Sequence, residues 1–157
     1  MRGGLMRNHK PISKQKGVAA VEFTIIAPFM FLLIFATAEF GRLFYQYSAL
    51  TNSVRLGARY IADIAIKDNT GNFSLTDNDR AKATNLIVSG DTNGQSELLP
   101  GLNEAIFDYQ LNGDFITVTA SYSWSPIFSD TLFSLSDNNA ISLDFPMEVS
   151  YTVRVLP

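Results

Sequence analysis

Residues 18–38 read VAAVEFTIIAPFMFLLIFATA, an apolar run interrupted by one charge, Glu22. As an α-helix these roughly 21 residues extend about 30 Å, the thickness of the hydrocarbon core of a bilayer. This stretch decides the organisation of the chain, because a membrane helix at one end leaves room for a single small domain in the remainder. Pro28 lies inside the run, where its missing N–H is expected to bend the helix rather than end it.

Upstream, Arg2, Arg7, Lys10, Lys14 and Lys16 precede the span, and no acid occurs before Glu22. Beyond Arg42 the balance turns acidic, leaving a net charge of −3. A basic flank stays in the cytoplasm, so the expected topology is N-terminus in, C-terminal domain out. The same cations suit a topology signal better than a nucleic-acid surface, which needs positive charge on a folded body; no nucleic-acid partner is expected. A cleaved secretory signal is the competing reading of a basic tail before an apolar run. The length of the run, the charge at Glu22 and the lack of a small-x-small site clear of the helix before Glu39 argue against it.

A carboxylate in mid-bilayer costs about 2.5–3.5 kcal/mol, so Glu22 needs a partner or water. Near the headgroups it could reach water. Its spacing offers the other route: it stands five residues after Gly17, and a cut after Gly17 would place the new amine of Val18 one helical turn away. In a helix bundle the amine of one subunit could then pair with Glu22 of its neighbour.

Downstream, apolar residues recur at Phe40, Leu43, Phe44, Tyr47, Leu50, Val54, Ala58, Ile61 and Ala65, the three-four spacing of an amphipathic helix. The helix of residues 39–66 is expected to continue the span as a spine, giving a lollipop outline. Arg42, Arg55 and Arg59 project from it, either solvated or paired with acids such as Glu39, Asp63 or Asp68, or else serving a contact between subunits. Residues 68–74 end this helix; Thr76 or Asp77 caps a second over 77–88, with Gly90 as its stop, before a polar loop over 90–101.

Strands are expected near residues 105–111, 114–124 and 141–155. Asn112-Gly113 between the first two signals a type I′ hairpin, with Tyr109 facing Ile116, Phe107 facing Val118 and Asp108 facing Thr117. Strict alternation in the second and third strands gives each one buried face. Pro146 calls for an edge position, a bulge or a break. The fold class is therefore α+β: a long N-terminal transmembrane and spine helix packed against a small antiparallel sheet.

Catalytic chemistry finds little support. There is no cysteine, and the one histidine, His9, lies in the leader. No triad or zinc site can be assembled from what remains. Asp77/Asp79 and Asp91/Glu97 do not match a calcium loop and read as capping or loop acids. No phosphate loop or dinucleotide fingerprint occurs. No catalytic residue, metal or cofactor is expected, and the chain does not read as an enzyme.

The string KGVAAVEF, residues 16–23, resembles the processing site of type IVb prepilins, in which glycine precedes the cut and Glu-Phe or Glu-Tyr follows at the fifth and sixth mature positions. Here those are Glu22 and Phe23. EFGRLFYQ, residues 39–46, and NSVRLGARYIAD, residues 52–63, are similar to the TadE family of minor pilins, or pseudopilins, of tight-adherence (Tad, Flp) pili. The first mature residue would be Val18 rather than phenylalanine, and no Phe-Thr-Leu-type start is present, which favours TadE over the general secretion pseudopilins.

The resemblance implies cleavage between Gly17 and Val18 by a prepilin peptidase, with Glu22 and Phe23 serving recognition and assembly. It marks Glu39, Phe40, Gly41 and Arg42, and then Gly57, Ala58 and Arg59, as family motifs. It divides the chain into a leader (1–17), a span (18–38), a spine (39–66) and an extracytoplasmic domain (67–157). It places the protein in the bacterial inner membrane among lipid, other pilins and the Tad assembly machinery, with a part in adhesion, biofilm or secretion. The alternative is a single-span binding or adhesion module that never enters a filament.

Overall fold

The computed structural model describes residues 16–67, 73–127, 131–132, 141–142 and 144–155. Residues 1–15, with His9, lie outside them, as does Asp68. Two compact units are present, Met1–Ala38 and Glu39–Pro157. The architecture is α+β, a long apolar N-terminal helix and a three-stranded antiparallel sheet.

Helix α1 runs Lys16–Ile64 and includes Pro28 without interruption. In the first unit its side chains are exposed all round: Val18, Phe23, Ile25, Phe29, Leu32 and Leu33 each keep 60% or more of their surface. A helix that is apolar on every face requires lipid or other helices around it. The two threonines of residues 16–38 add no polar cost, because the Thr24 hydroxyl donates to the Ala20 carbonyl (2.8 Å) and the Thr37 hydroxyl to the Leu33 carbonyl (2.7 Å).

In the second unit α1 becomes one-sided. Leu50, Val54, Ala58, Ile61 and Ala62 are buried and join Ala83 and Ile87, Leu99 and Leu102, and the inner face of the sheet in one core. The Ala65 N–H closes the last turn on the Ile61 carbonyl. The chain then leaves the helix, since β1 (Ile66–Lys67) pairs with β2 (Phe73–Ser74).

Helix α2 (Asp77–Ser89) starts at a capping box. The Asp79 N–H donates to Thr76 Oγ1 (3.2 Å), and the Thr76 N–H and hydroxyl donate to the Asp79 carboxylate (3.1 and 2.6 Å). These two bonds hold the Asp79 carboxyl below the usual aspartate range. The helix stops at Gly90, whose φ of 75° is the left-handed C-cap conformation. The stretch that follows is not only a polar loop, since it delivers Leu99 and the 3₁₀ turn Leu102–Glu104 to the core.

The main sheet has the order β3 (Ile106–Asn112), β4 (Phe115–Trp124), β7 (Phe145–Arg154). On β4, Ile116, Val118, Ala120, Tyr122 and Trp124 point into the core. The opposite face carries hydroxyl ladders, Thr117 to Thr152 (2.9 Å) and Thr119 to Ser150 (3.1 Å). Tyr109 on β3 reaches the Thr84 hydroxyl on α2 (2.7 Å), and burial pushes its phenol upward.

The hairpin differs from the expected register. Tyr109 pairs with Val118, Phe107 with Ala120 and Asp108 with Thr119, and Asn112 pairs with Phe115. The turn is therefore Gly113-Asp114 rather than Asn112-Gly113. Gly113 has φ 59°, and among the described residues every positive φ falls on glycine. A type I′ turn would have forced Asn112 into the left-handed region, whereas a turn beginning at Gly113 places only glycine there. The two-residue shift keeps every side chain on its face, because strand alternation has a period of two.

The third strand also divides. Ile141–Ser142 (β6) pairs with Thr131–Leu132 (β5) in a separate ladder, and the long pairing with β4 begins at Phe145. Between them the Asp144 N–H donates to the Ser142 hydroxyl (3.2 Å). Pro146 sits within β7, opposite Ser123, on an outer strand of the sheet. The Val155 N–H points to the Asp114 carbonyl. By alternation the nitrogen of residue 146 faces away from β4, so proline costs no ladder bond.

Candidate functional site

The sequence motifs all fall on α1, in three groups. The first is at its start. Gly17 and Val18 are exposed within the first turns, and a Cβ at Gly17 would meet nothing within 4 Å. No acid occupies the first turn. Glu22 and Phe23 are exposed, and Glu22 has no hydrogen bond or ion pair among the described residues. The carboxylate is thus an unanswered charge on an otherwise apolar surface.

The second group, Glu39 to Arg42, is not a free surface but a clasp. Arg42 and Glu39 form an ion pair of 3.1 Å, one turn apart on the helix. The Glu39 carboxylate also accepts the Ile127 N–H (2.6 Å), and Arg42 donates to the Ser125 carbonyl and to Gln46 Oε1 (3.5 Å). The Arg42 guanidinium lies 5.1 Å from the Trp124 ring centre, within cation–π range. Gln46 is buried beside it. Together these groups fasten the end of β4 to the helix. The fastening is imperfect, since Arg42 Nε and Trp124 Nε1 are buried without a hydrogen-bond partner among the described residues. Phe40 remains exposed, and Gly41 has open space where a Cβ would stand. Nothing in the isolated chain requires glycine at 41.

The third group explains itself by packing. A Cβ at Gly57 would lie 2.3 Å from Ile87 Cγ1 and 2.7 Å from Ile87 Cδ1, so glycine lets α2 approach. Ala58 is fully buried, and Arg59 is exposed. Arg55 lies 5.3 Å from the Tyr151 ring centre rather than against an acid.

The residues that complete the clasp, Trp124, Ser125 and Ile127, were not legible from the motif. They lie more than 80 positions away, and no local pattern links a helical Glu-x-x-Arg to a strand end. Three of the four acids weighed for calcium are engaged in local structure: Asp79 completes the cap of α2, Asp91 accepts from Asn93, and Glu97 accepts the Gly101 N–H. Among the described residues no group of three or more His, Asp or Glu side chains could hold a metal.

The model of the family described as TadE-like protein matches residues 17–59. That span contains all three motif groups and ends before α2 and the sheet. No curated protein and no solved structure gives a significant match.

Proposed function

We propose that the chain is a minor pilin or pseudopilin of a Tad (type IVb) pilus, held in the inner membrane by α1 until a prepilin peptidase cuts between Gly17 and Val18. α1 contains a segment long and apolar enough to cross a membrane, and the TadE-like match covers it. The observation that carries the reading is Glu22: exposed, unpartnered among the described residues, and five positions after the glycine that precedes the cut. Cleavage creates the cation this carboxylate lacks, and a neighbouring subunit supplies it within a bundle of apolar helices. In this reading the second unit faces outward and the basic leader remains in the cytoplasm. The role is assembly and presentation, with no catalytic step.

The test is the mature N-terminus. Coexpressed with an active prepilin peptidase, the protein is expected to lose the mass of residues 1–17 and begin at Val18. Glu22→Ala is expected to insert and be cut but to drop out of sheared filaments. An intact N-terminus at Met1 beside a peptidase that processes a control prepilin would favour the single-span binding module and defeat the pilin reading.

A further inference from the structure

Six large apolar or aromatic side chains are exposed around the clasp. Phe40, Phe44, Tyr45 and Tyr47 keep 62, 67, 70 and 46% of their surface on α1. Ile127 and Phe145 keep 70 and 43% on the other side. Two contacts fix the level of these last two. The Ile127 N–H is bonded to the Glu39 carboxylate, and the Phe145 ring is 5.2 Å from that of Trp124, which lies under Arg42. Both therefore sit beside the first turn of the second unit, where the apolar run of residues 18–38 has just ended. A patch of this kind is unusual on a surface surrounded by water.

We infer that this end of the second unit is seated in the headgroup layer of the bilayer, with Phe40, Phe44, Ile127 and Phe145 in contact with lipid. Lipid is the occupant because the patch continues from the membrane span along one helix; the inference therefore rests on that span. Counted along the chain, the roughly 21 helical residues 18–38 cover the hydrocarbon and end just before Glu39. The following turns then fall in the interfacial layer where Tyr and Trp are enriched, and the hydroxyls of Tyr45 and Tyr47 can remain wet. The clasp suits this position, because Glu39 and Arg42 neutralise each other and are turned onto the end of β4. The exposed charge next to Phe145 is the acidic Asp144, so the seat is apolar rather than cationic and should not depend on anionic lipid.

The chain has no cysteine, which makes single-cysteine spin labels clean. The full-length protein is reconstituted in phosphatidylcholine vesicles with labels at Ile127→Cys, Phe145→Cys, Phe31→Cys within the span and Asn112→Cys at the hairpin. Accessibility to oxygen is compared with accessibility to a water-soluble nickel complex. At 127 and 145 the oxygen-to-nickel ratio is expected to exceed that at 112 several-fold and to stay unchanged when anionic lipid is added. A water-like ratio at 127 and 145 with a lipid-like ratio at 31 overturns the seat and leaves the span standing. A water-like ratio at 31 removes the span and the seat together. Low accessibility to both reagents at 127 and 145 identifies a protein occupant, such as a second copy, and also overturns the proposal.

Discussion

At the scale of single residues, Gly57 and Arg42 show two different reasons for a motif position. Gly57 is demanded by space. Its added Cβ would overlap the side chain of Ile87, which is fully buried. Gly57→Ala is expected to destabilise the second unit by about 1–3 kcal/mol, the usual cost of overpacking. Ile87→Ala alone should cost about 2–5 kcal/mol through its cavity. The double variant should cost less than the sum, because each change relieves the other. Urea unfolding of the four proteins measures this coupling, and strict additivity would deny the contact. Arg42 is demanded by its fork of donors. Arg42→Lys keeps the charge but cannot serve Glu39, Gln46 and Ser125 together while lying over Trp124. A loss of about 2 kcal/mol is expected. It should come with a change in the emission of Trp124, the one tryptophan of the chain, and an unchanged spectrum would count against the stacked geometry.

At the scale of elements, much was legible because the signals were local. Of the two cap candidates for α2, Thr76 and Asp77, the structure selects Thr76, with Asp79 completing the capping box, and it keeps the expected stop at Gly90. Alternation in β4 named the buried face correctly, since a period of two survives a shift of two. The turn itself was misplaced, because Asn-Gly favours type I′ only where asparagine adopts a positive φ, and here only Gly113 does. The small ladders β1–β2 and β5–β6 were not legible, as two-residue pairings leave no periodicity to detect. The capping box also sets a pH dependence. Asp79 is held below its ordinary range by bonds from Thr76, so its stabilising effect is full above the ordinary aspartate pKa and is lost as pH falls through the lower folded value. Acid titration should loosen the start of α2 in the wild type, whereas Asp79→Asn should lack that step. Hydrogen exchange of the first-turn amides reads the difference, and identical profiles in the two proteins would contradict it.

At the scale of the whole molecule, the two units treat their apolar surface in opposite ways. Among the described residues the first unit buries no apolar side chain, and the second has a core drawn from both helices and the main sheet. The family-like segment crosses this division and supplies both the apolar surface of the first unit and the fasteners of the second. That explains why the motif could be located in the sequence while the partners of Arg42 beyond Glu39 could not: the clasp exists only once residues 124–127 have returned to the helix. The sheet was open to reading, since its faces follow from alternation. The seat around Ile127 and Phe145 was hidden, because neither residue has a near neighbour in sequence that reports its level.

Pro146 bears on how such a domain lives among many copies of itself. A row of backbone amides along the rim of a sheet invites the rim of another molecule, and copies confined to one plane meet often. With its nitrogen turned outward on β7, the proline leaves a gap in that row of donors. A visiting strand would forfeit a bond there and meet the ring, which makes pairing along that part of the rim less favourable.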